Sequence, residues 1–203
     1  MGFKMSEIKI IEKPQEISFQ TIKDVLHRAH SVNFAKGLVM HTTELSAEEL
    51  EAYLGDEGKC FVAMDGDQVV GTISLRVREK NTWYAHGKVV DEVLGGVLPE
   101  YGGKHVFSSL SQKAEEYIRE NGYSIIVFNT ATENKRVQEI HKKNGFHYVS
   151  FFAAEDNDHY SVIMAKWLNK CPFSKTEIWL RYNKKKLAVI MRYKPGKIKR
   201  FSV

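Results

Sequence analysis

Val97-Leu-Pro-Glu-Tyr-Gly-Gly-Lys104 is the stretch from which the rest of the chain is read. An apolar run from Lys88 to Leu98 stops at Pro99. Two glycines follow, and then Val106, Leu110, Ala114, Tyr117 and Ile118 recur at helical spacing until Asn121-Gly122 ends them. The order is strand, glycine loop, helix. Such a junction gathers backbone N–H groups at one point, and the positive end of the helix dipole adds to them, so it suits anionic oxygens. Gly95 and Gly96, just upstream, remove side chains where another group could approach the strand backbone.

Outward from that junction the pattern stays mixed. Upstream, Ile8, Ile10 and Ile11 predict a short strand closed by Lys13-Pro14. Ser18 caps a helix carrying Ile22, Val25, Leu26 and Ala29, and Ser46 with Glu49 forms a capping box for a second helix with Leu50, Tyr53 and Leu54. Cys60 to Met64 and Gln68 to Val77 flank Asp65-Gly-Asp67, which predicts a β-hairpin. Arg78 to Gly87 is polar and reads as a loop. Downstream, Ser124 to Phe128 reads as a buried strand. A helix from Asn134 to Lys143 closes at Asn144-Gly145, and strands follow over 147–153 and 159–166. Beyond Trp167, Thr176 to Tyr182 and Leu187 to Tyr193 read as two strands joined by Asn183-Lys-Lys-Lys186. The expected architecture is a mixed α/β domain over residues 1–166, about seven strands and four helices in the order β-α-α-β-β-β-α-β-α-β-β. A basic extension over 167–203 follows, as a C-terminal β-hairpin.

The bulk numbers narrow the class. With 43% hydrophobic and 27% charged residues in 203, the chain is an ordinary globular one, neither disordered nor collagen-like. No apolar run reaches the ~18 residues of a bilayer span, and MGFKMSEIKI lacks the apolar core of a secretory signal. Two cysteines, Cys60 and Cys171, stand far apart without metal-ligand spacing. They imply neither a disulfide framework nor a metal, and they fit a reducing, cytoplasmic setting. Charge is unevenly divided. From Lys166 onward there are twelve Lys or Arg against one acid, Glu177, so this segment carries +11 of a chain total of +5 and the first 165 residues carry a net −6. A phosphorylated substrate, a nucleic acid or a membrane surface would each suit such a tail, as would a simple solvated face.

Two motifs now support a resemblance. The first is the Pro99-Glu-Tyr loop. The second is Asn134 followed by Ile140-His-Lys-Lys-Asn-Gly-Phe146, and the Asp-Gly hairpin leading to Val70-Gly71 agrees with both. Over about residues 8–166 the chain resembles the GNAT (GCN5-related N-acetyltransferase) family, whose late helix typically reads Asn, then Leu-Tyr-x-Lys-x-Gly-Phe. The resemblance implies a GNAT-like central mixed sheet flanked by helices. It also implies acyl transfer, most simply N-acetylation, from acetyl-coenzyme A or another acyl-coenzyme A to a small-molecule or peptide amine by direct attack, without a metal.

Carried over residue by residue, the family pattern assigns coenzyme A binding to Val97, Gly102, Gly103, Lys104, His105, Val106, Phe107 and Asn134. The loop departs from the usual run of Arg or Gln, two residues, Gly, one residue, Gly or Ala. Those places hold Gly102, His105 and Phe107 here, and Phe107 would crowd the helix start. The family's acidic tyrosine corresponds to His141, an imidazole able to protonate a thiolate near neutral pH. Val97 or a neighbour would offer the N–H that polarises the thioester carbonyl. Asp91 and Glu92 are the candidate bases, and strand alternation lets only one of them face the site. Asn134 either holds the cofactor arm or caps the late helix. His27, His30 and His41 lie where the family builds its acceptor pocket, with Trp83, Tyr84 and His86 on a loop. Two other readings stand beside this one. The donor could be an aminoacyl-tRNA, met by the basic tail, or the chain could be a non-catalytic binding module with a degenerate site. A homodimer through exposed strand edges is compatible with all three.

Overall fold

The computed structural model describes residues 7–35, 41–153 and 160–192. Strand β1, Lys9–Glu12, leads to Ser18, whose hydroxyl accepts the Thr21 N–H at 3.2 Å and opens helix α1, Phe19–Ala29. Two single turns follow, α2 at Ser31–Phe34 and α3 at His41–Glu44, neither expected from the sequence. Helix α4, Ala47–Leu54, begins with the expected capping box. Glu49 N–H donates to Ser46 Oγ (3.1 Å), and Ser46 N–H donates to Glu49 Oε2 (2.7 Å). Ile22 and Leu26 of α1 and Leu50 and Leu54 of α4 are buried, and the two helices pack on each other. Each such burial stabilises by about 2 kcal/mol.

The strands are β2 Lys59–Asp65, β3 Gln68–Thr82, β4 Ala85–Val97, β5 Ile125–Ala131, β6 His147–Ala153 and β7 Tyr160–Trp167. Together with β1 they form one seven-stranded mixed sheet in the order β1-β2-β3-β4-β5-β7-β6. Gly66 turns the β2–β3 hairpin at φ +58°, and the antiparallel register runs from Asp65↔Gln68 to Lys59↔Leu75. Cys60 on β2 is 5% exposed, with its Sγ 3.6 Å from Thr72 Oγ1, and burial pushes its thiol pKa up. Helices α5, Val106–Glu120, and α6, Lys135–Lys143, precede β5 and β6. Helix α7, Lys175–Arg192, follows β7.

Two compact units divide the chain: Met1–Glu79 with Val90–Tyr123, and Lys80–Val89 with Ser124–Val203. In the first, α5 lays Leu110, Ala114 and Ile118 inward and packs against β1 and β2. In the second, Tyr84, Ala85, Val89, Val127, Val149, Ala165 and Ile178 form one buried cluster.

Two expectations are corrected. Residues 78–87 are not a loop. β3 continues to Thr82, Trp83 and Tyr84 make the turn, and β4 starts at Ala85, whose N–H donates to Thr82 Oγ1 (3.1 Å). Polar side chains simply line exposed strand ends there. The basic extension is not a β-hairpin either, because residues 175–192 are one helix. Asn183-Lys-Lys-Lys186 looks like a turn, yet lysine is a good helix former and no Gly or Pro interrupts the segment. Asn183 Nδ2 donates to the Trp179 carbonyl one turn earlier (2.8 Å). Ile178 and Val189 bury one stripe of α7, and the helix packs against β6. Tyr182 stacks on Tyr148 at 5.3 Å, and burial pushes its phenol up to about 12. The part of the expected hairpin at 193 and beyond lies outside the described residues.

Candidate functional site

In the first unit the site is built at the end of β4. Leu94 sits at φ +49° inside the strand, a conformation that costs a non-glycine residue of order 1 kcal/mol and breaks the pleat. The two residues after it are Gly95 and Gly96. A β-carbon on Gly96 would stand 2.9 Å from Ala29 Cβ and 3.4 Å from Leu26 Cδ2, so α1 rests directly on this strand. His30, just past α1, donates from Nε2 to the Gly95 carbonyl (3.0 Å), and its Nδ1 accepts from Asn33 Nδ2 (3.3 Å). A carbonyl can only accept, so this pair of bonds fixes the neutral Nε2–H tautomer. Burial lowers the His30 pKa from 6.5, against the smaller raising effect of the Gly95 bond. From the sequence, His30 is only an acceptor-pocket candidate. Its role as the tether of the kinked strand was foreshadowed by the paired glycines, which ask what comes close to them.

Leu98 N–H closes onto the Val70 carbonyl (2.9 Å), and Pro99–Tyr101 makes a 3-10 turn with Gly102 N–H bonded to Pro99 O (3.0 Å). Tyr101 donates to Asp65 (2.7 Å), a bond that raises its own pKa, and Arg28 pairs with Glu100 (2.6 Å). These contacts hold the loop's base, while Gly102, Gly103, Lys104 and His105 are exposed. Gly103 (φ +77°) and His105 (φ +62°) both take the left-handed conformation, and His105 precedes α5 without a side-chain cap. The turn formed by Val106, Phe107 and Ser108 therefore points its N–H groups back toward the exposed loop. Lys104 places its ammonium 4.8 Å from the Tyr101 ring.

Phe107 does not fill this end. Its ring lies back along β4, where a β-carbon on Gly95 would stand only 3.3 Å from Phe107 Cε2. The crowding expected from a large residue at this place is relieved by the absent side chain at Gly95. Exposed glycine-bearing loop, uncapped helix start and nearby Lys104 together fit a diphosphate.

Of the two candidate bases, Asp91 is 6% exposed and held by Arg78 Nε (2.7 Å) and Arg76 (3.4 Å), and Arg76 stacks on Tyr53 at 3.8 Å. Glu92 is 8% exposed and follows it on the strand, so alternation turns it to the other face.

In the second unit, His141 is 1% exposed. Its Nδ1 donates to the Val137 carbonyl (2.9 Å), its ring stacks on Phe128 at 3.7 Å and 7°, and the edge of Phe146 meets it at 4.9 Å. Asn134 makes no side-chain cap on α6. Its Nδ2 donates to Thr130 Oγ1 (3.2 Å), tying the helix start to β5. Gln138, which no motif in the sequence marks, is 2% exposed and bonded at both ends of its amide. It donates to the Ala131 and Thr132 carbonyls (2.9 and 3.0 Å) and accepts from the Tyr148 hydroxyl (3.0 Å).

The remaining candidates disperse. His27 packs on Phe34 at 4.9 Å, Trp83 and Tyr84 belong to the second unit's core, and the side chain of His41 lies outside the described residues. Among the described residues no group of three or more His, Cys, Asp or Glu could hold a metal ion. An open depression of about 370 Å³ in the first unit is lined by Glu16, Asp24, Arg28, Asp67 and their neighbours, and none of residues 102–107 borders it. The α5 start and that depression are therefore separate features of the first unit.

The family described as acetyltransferase (GNAT) matches residues 21–146, well over half of the chain. The chain belongs to the GNAT acetyltransferase family. Among solved structures it is similar to a GNAT-family acetyltransferase from Staphylococcus aureus Mu50 (TM-score 0.63, 19% identity, 80% of this chain and 100% of that one). It is also similar to the PaiA N-acetyltransferase of Thermoplasma acidophilum, solved in complex with coenzyme A (0.62, 19%, 80% and 99%). A third is the ribosomal-protein-S18-alanine N-acetyltransferase of Escherichia coli (0.62, 11%, 81% and 96%). No curated protein sequence matches the chain.

Proposed function

We propose that this protein transfers an acyl group, most simply acetyl, from an acyl-coenzyme A to an amine by direct attack. The observation that carries the reading is the start of α5 without a side-chain cap, with Phe107 folded back onto Gly95 and the preceding loop Gly102–His105 exposed. Main-chain N–H groups of Gly103, His105, Val106 and Phe107, with Lys104 and the His105 imidazole, would hold the diphosphate. The amide oxygen of Asn134 is the acceptor for an N–H of the cofactor arm. The bound thioester supplies the activated acyl carbon.

The chain's own groups then have three tasks. Glu92 or Asp91, of which strand alternation lets only one face the acceptor, takes the proton from the amine. The N–H of Val97 or its neighbour polarises the thioester carbonyl, and the Leu94 kink held by His30 aims it. The family pattern gives the third task to His141: as the imidazolium, with Nδ1 still donating to the Val137 carbonyl, it passes its Nε2 proton to the departing thiolate and is left neutral. A C–N bond forms, the C–S bond breaks, and the thiol leaves neutral.

Titration with acetyl-coenzyme A tests this by calorimetry and by thermal shift. Saturable heat and a rising Tm are expected, with about 2.7 kcal/mol of added stability at a hundredfold excess over Kd. No heat and no shift at millimolar ligand overturns the reading.

A further inference from the structure

Of the seven large apolar side chains that stand exposed among the described residues, five are on α7: Trp179, Leu180, Leu187, Ile190 and Met191. At about 100° per residue they fall within an arc of roughly 120°. This is a second stripe, separate from the one that Ile178 and Val189 bury. Within the arc, Asn183 turns its amide back to the Trp179 carbonyl, which lowers the polarity of the strip. By the same helical geometry, Lys184 borders one edge and Lys186 the other. Lys186 lays its stem along the protein, with its ammonium 5.9 Å from the Phe151 ring. The segment that α7 belongs to holds +11, while the rest of the chain is net −6.

We infer that this face of α7 docks on an anionic lipid bilayer, lying in the interface plane. A tryptophan and four aliphatic or thioether side chains would enter the acyl boundary, and the bordering lysines would meet headgroup phosphates. Apolar strip, tryptophan and basic margins are the chemistry of an interfacial helix. No helix of the described residues is long and apolar enough to cross a membrane, so the contact is lateral. A second copy of this chain fits less well, because pairing two such faces would bring Lys184 and Lys186 toward their own kind. Nucleic acid fits less well too, because four aliphatic or thioether side chains fill most of the face and leave only Asn183 and the Trp179 indole to hydrogen-bond phosphate or base. The inference does not depend on the acyl-transfer reading.

The test uses the full chain with phosphatidylglycerol-rich vesicles and with pure phosphatidylcholine vesicles, followed by co-sedimentation. Binding to the anionic vesicles alone is expected, weakening as salt rises. Brominated lipid should quench fluorescence in the parent and lose that effect in Trp179→Phe. Lys184→Gln with Lys186→Gln keeps the stems and should weaken binding by about thirtyfold, at roughly fivefold per lysine. Leu187→Glu with Met191→Glu should remove binding while circular dichroism and Tm stay at parent values. The inference is overturned by no vesicle binding, by equal binding to both lipids, or by lysine variants that bind like the parent. A dimer or a duplex-DNA complex that disappears with these changes while vesicles are ignored overturns it as well.

Discussion

Helices α4 and α5 are both amphipathic, both begin after a loop in the first unit, and begin in opposite ways. The start of α4 is closed by its own residues, with Ser46 and Glu49 each satisfying the other's backbone N–H. The start of α5 has a left-handed His105 with no side-chain cap, preceded by exposed glycines and a lysine. One helix end is closed by its own side chains; the other has no side-chain cap, as the proposed diphosphate site requires. A helix that needs only to fold is served by the first arrangement, and a helix that binds is served by the second.

That contrast can be attacked directly. The largest effect is expected from His105→Asp, which puts a negative charge where the anion should sit. Coenzyme A affinity should fall by about thirtyfold, near 2 kcal/mol, with Tm unchanged or higher. Unchanged affinity in calorimetry would show that the two helix ends are not functionally different. Next is His30, which holds the kinked strand beside the open end. His30→Ala should cost about 1.5 kcal/mol in chemical denaturation, and His30→Gln, able to donate to the Gly95 carbonyl, should recover part of it. Its pH dependence has a definite sign. The folded-state pKa lies below 6.5, so as pH falls through 6.5 the unfolded chain takes up the proton first and stability declines until the folded state also titrates. Melts across this range should show that decline in the parent and a shallower one in His30→Gln. The residual slope belongs in part to His147, whose pKa burial also lowers. The smallest effect is at the closed end. Ser46→Ala should cost about 1 kcal/mol of stability and leave coenzyme A affinity untouched. A change in affinity there would blur the comparison.

Much of this is legible in the sequence. The capping box, the Asp65-Gly66-Asp67 hairpin and the halt at Pro99 are local signals, each decided by residues within one turn of each other. What the sequence could not show depends on partners distant along the chain. His30 looks like any helix-end histidine until Gly95, sixty-five residues away, is brought to it. Phe107 looks like an obstruction until the bare α-carbon of Gly95 makes room for its ring. The misread tail has another cause. Two apolar stripes on one helix, one buried and one exposed, give an apolar spacing that imitates two alternating strands. The lysine run between them imitates their turn. Only the hydrogen bond from Asn183 back to Trp179 and the packing of Ile178 and Val189 separate the cases.

The enclosed thiol of Cys60 has a practical consequence. It lies on a strand flanked by β1 and β3, while Cys171 in the second unit is only half-buried. A maleimide or iodoacetamide should therefore stop at one equivalent on the native protein. The second equivalent would be consumed only as fast as the β1–β3 edge breathes open. The chain thus carries its own chronometer for local opening, and coenzyme A, if it tightens the first unit, should make that clock run slow.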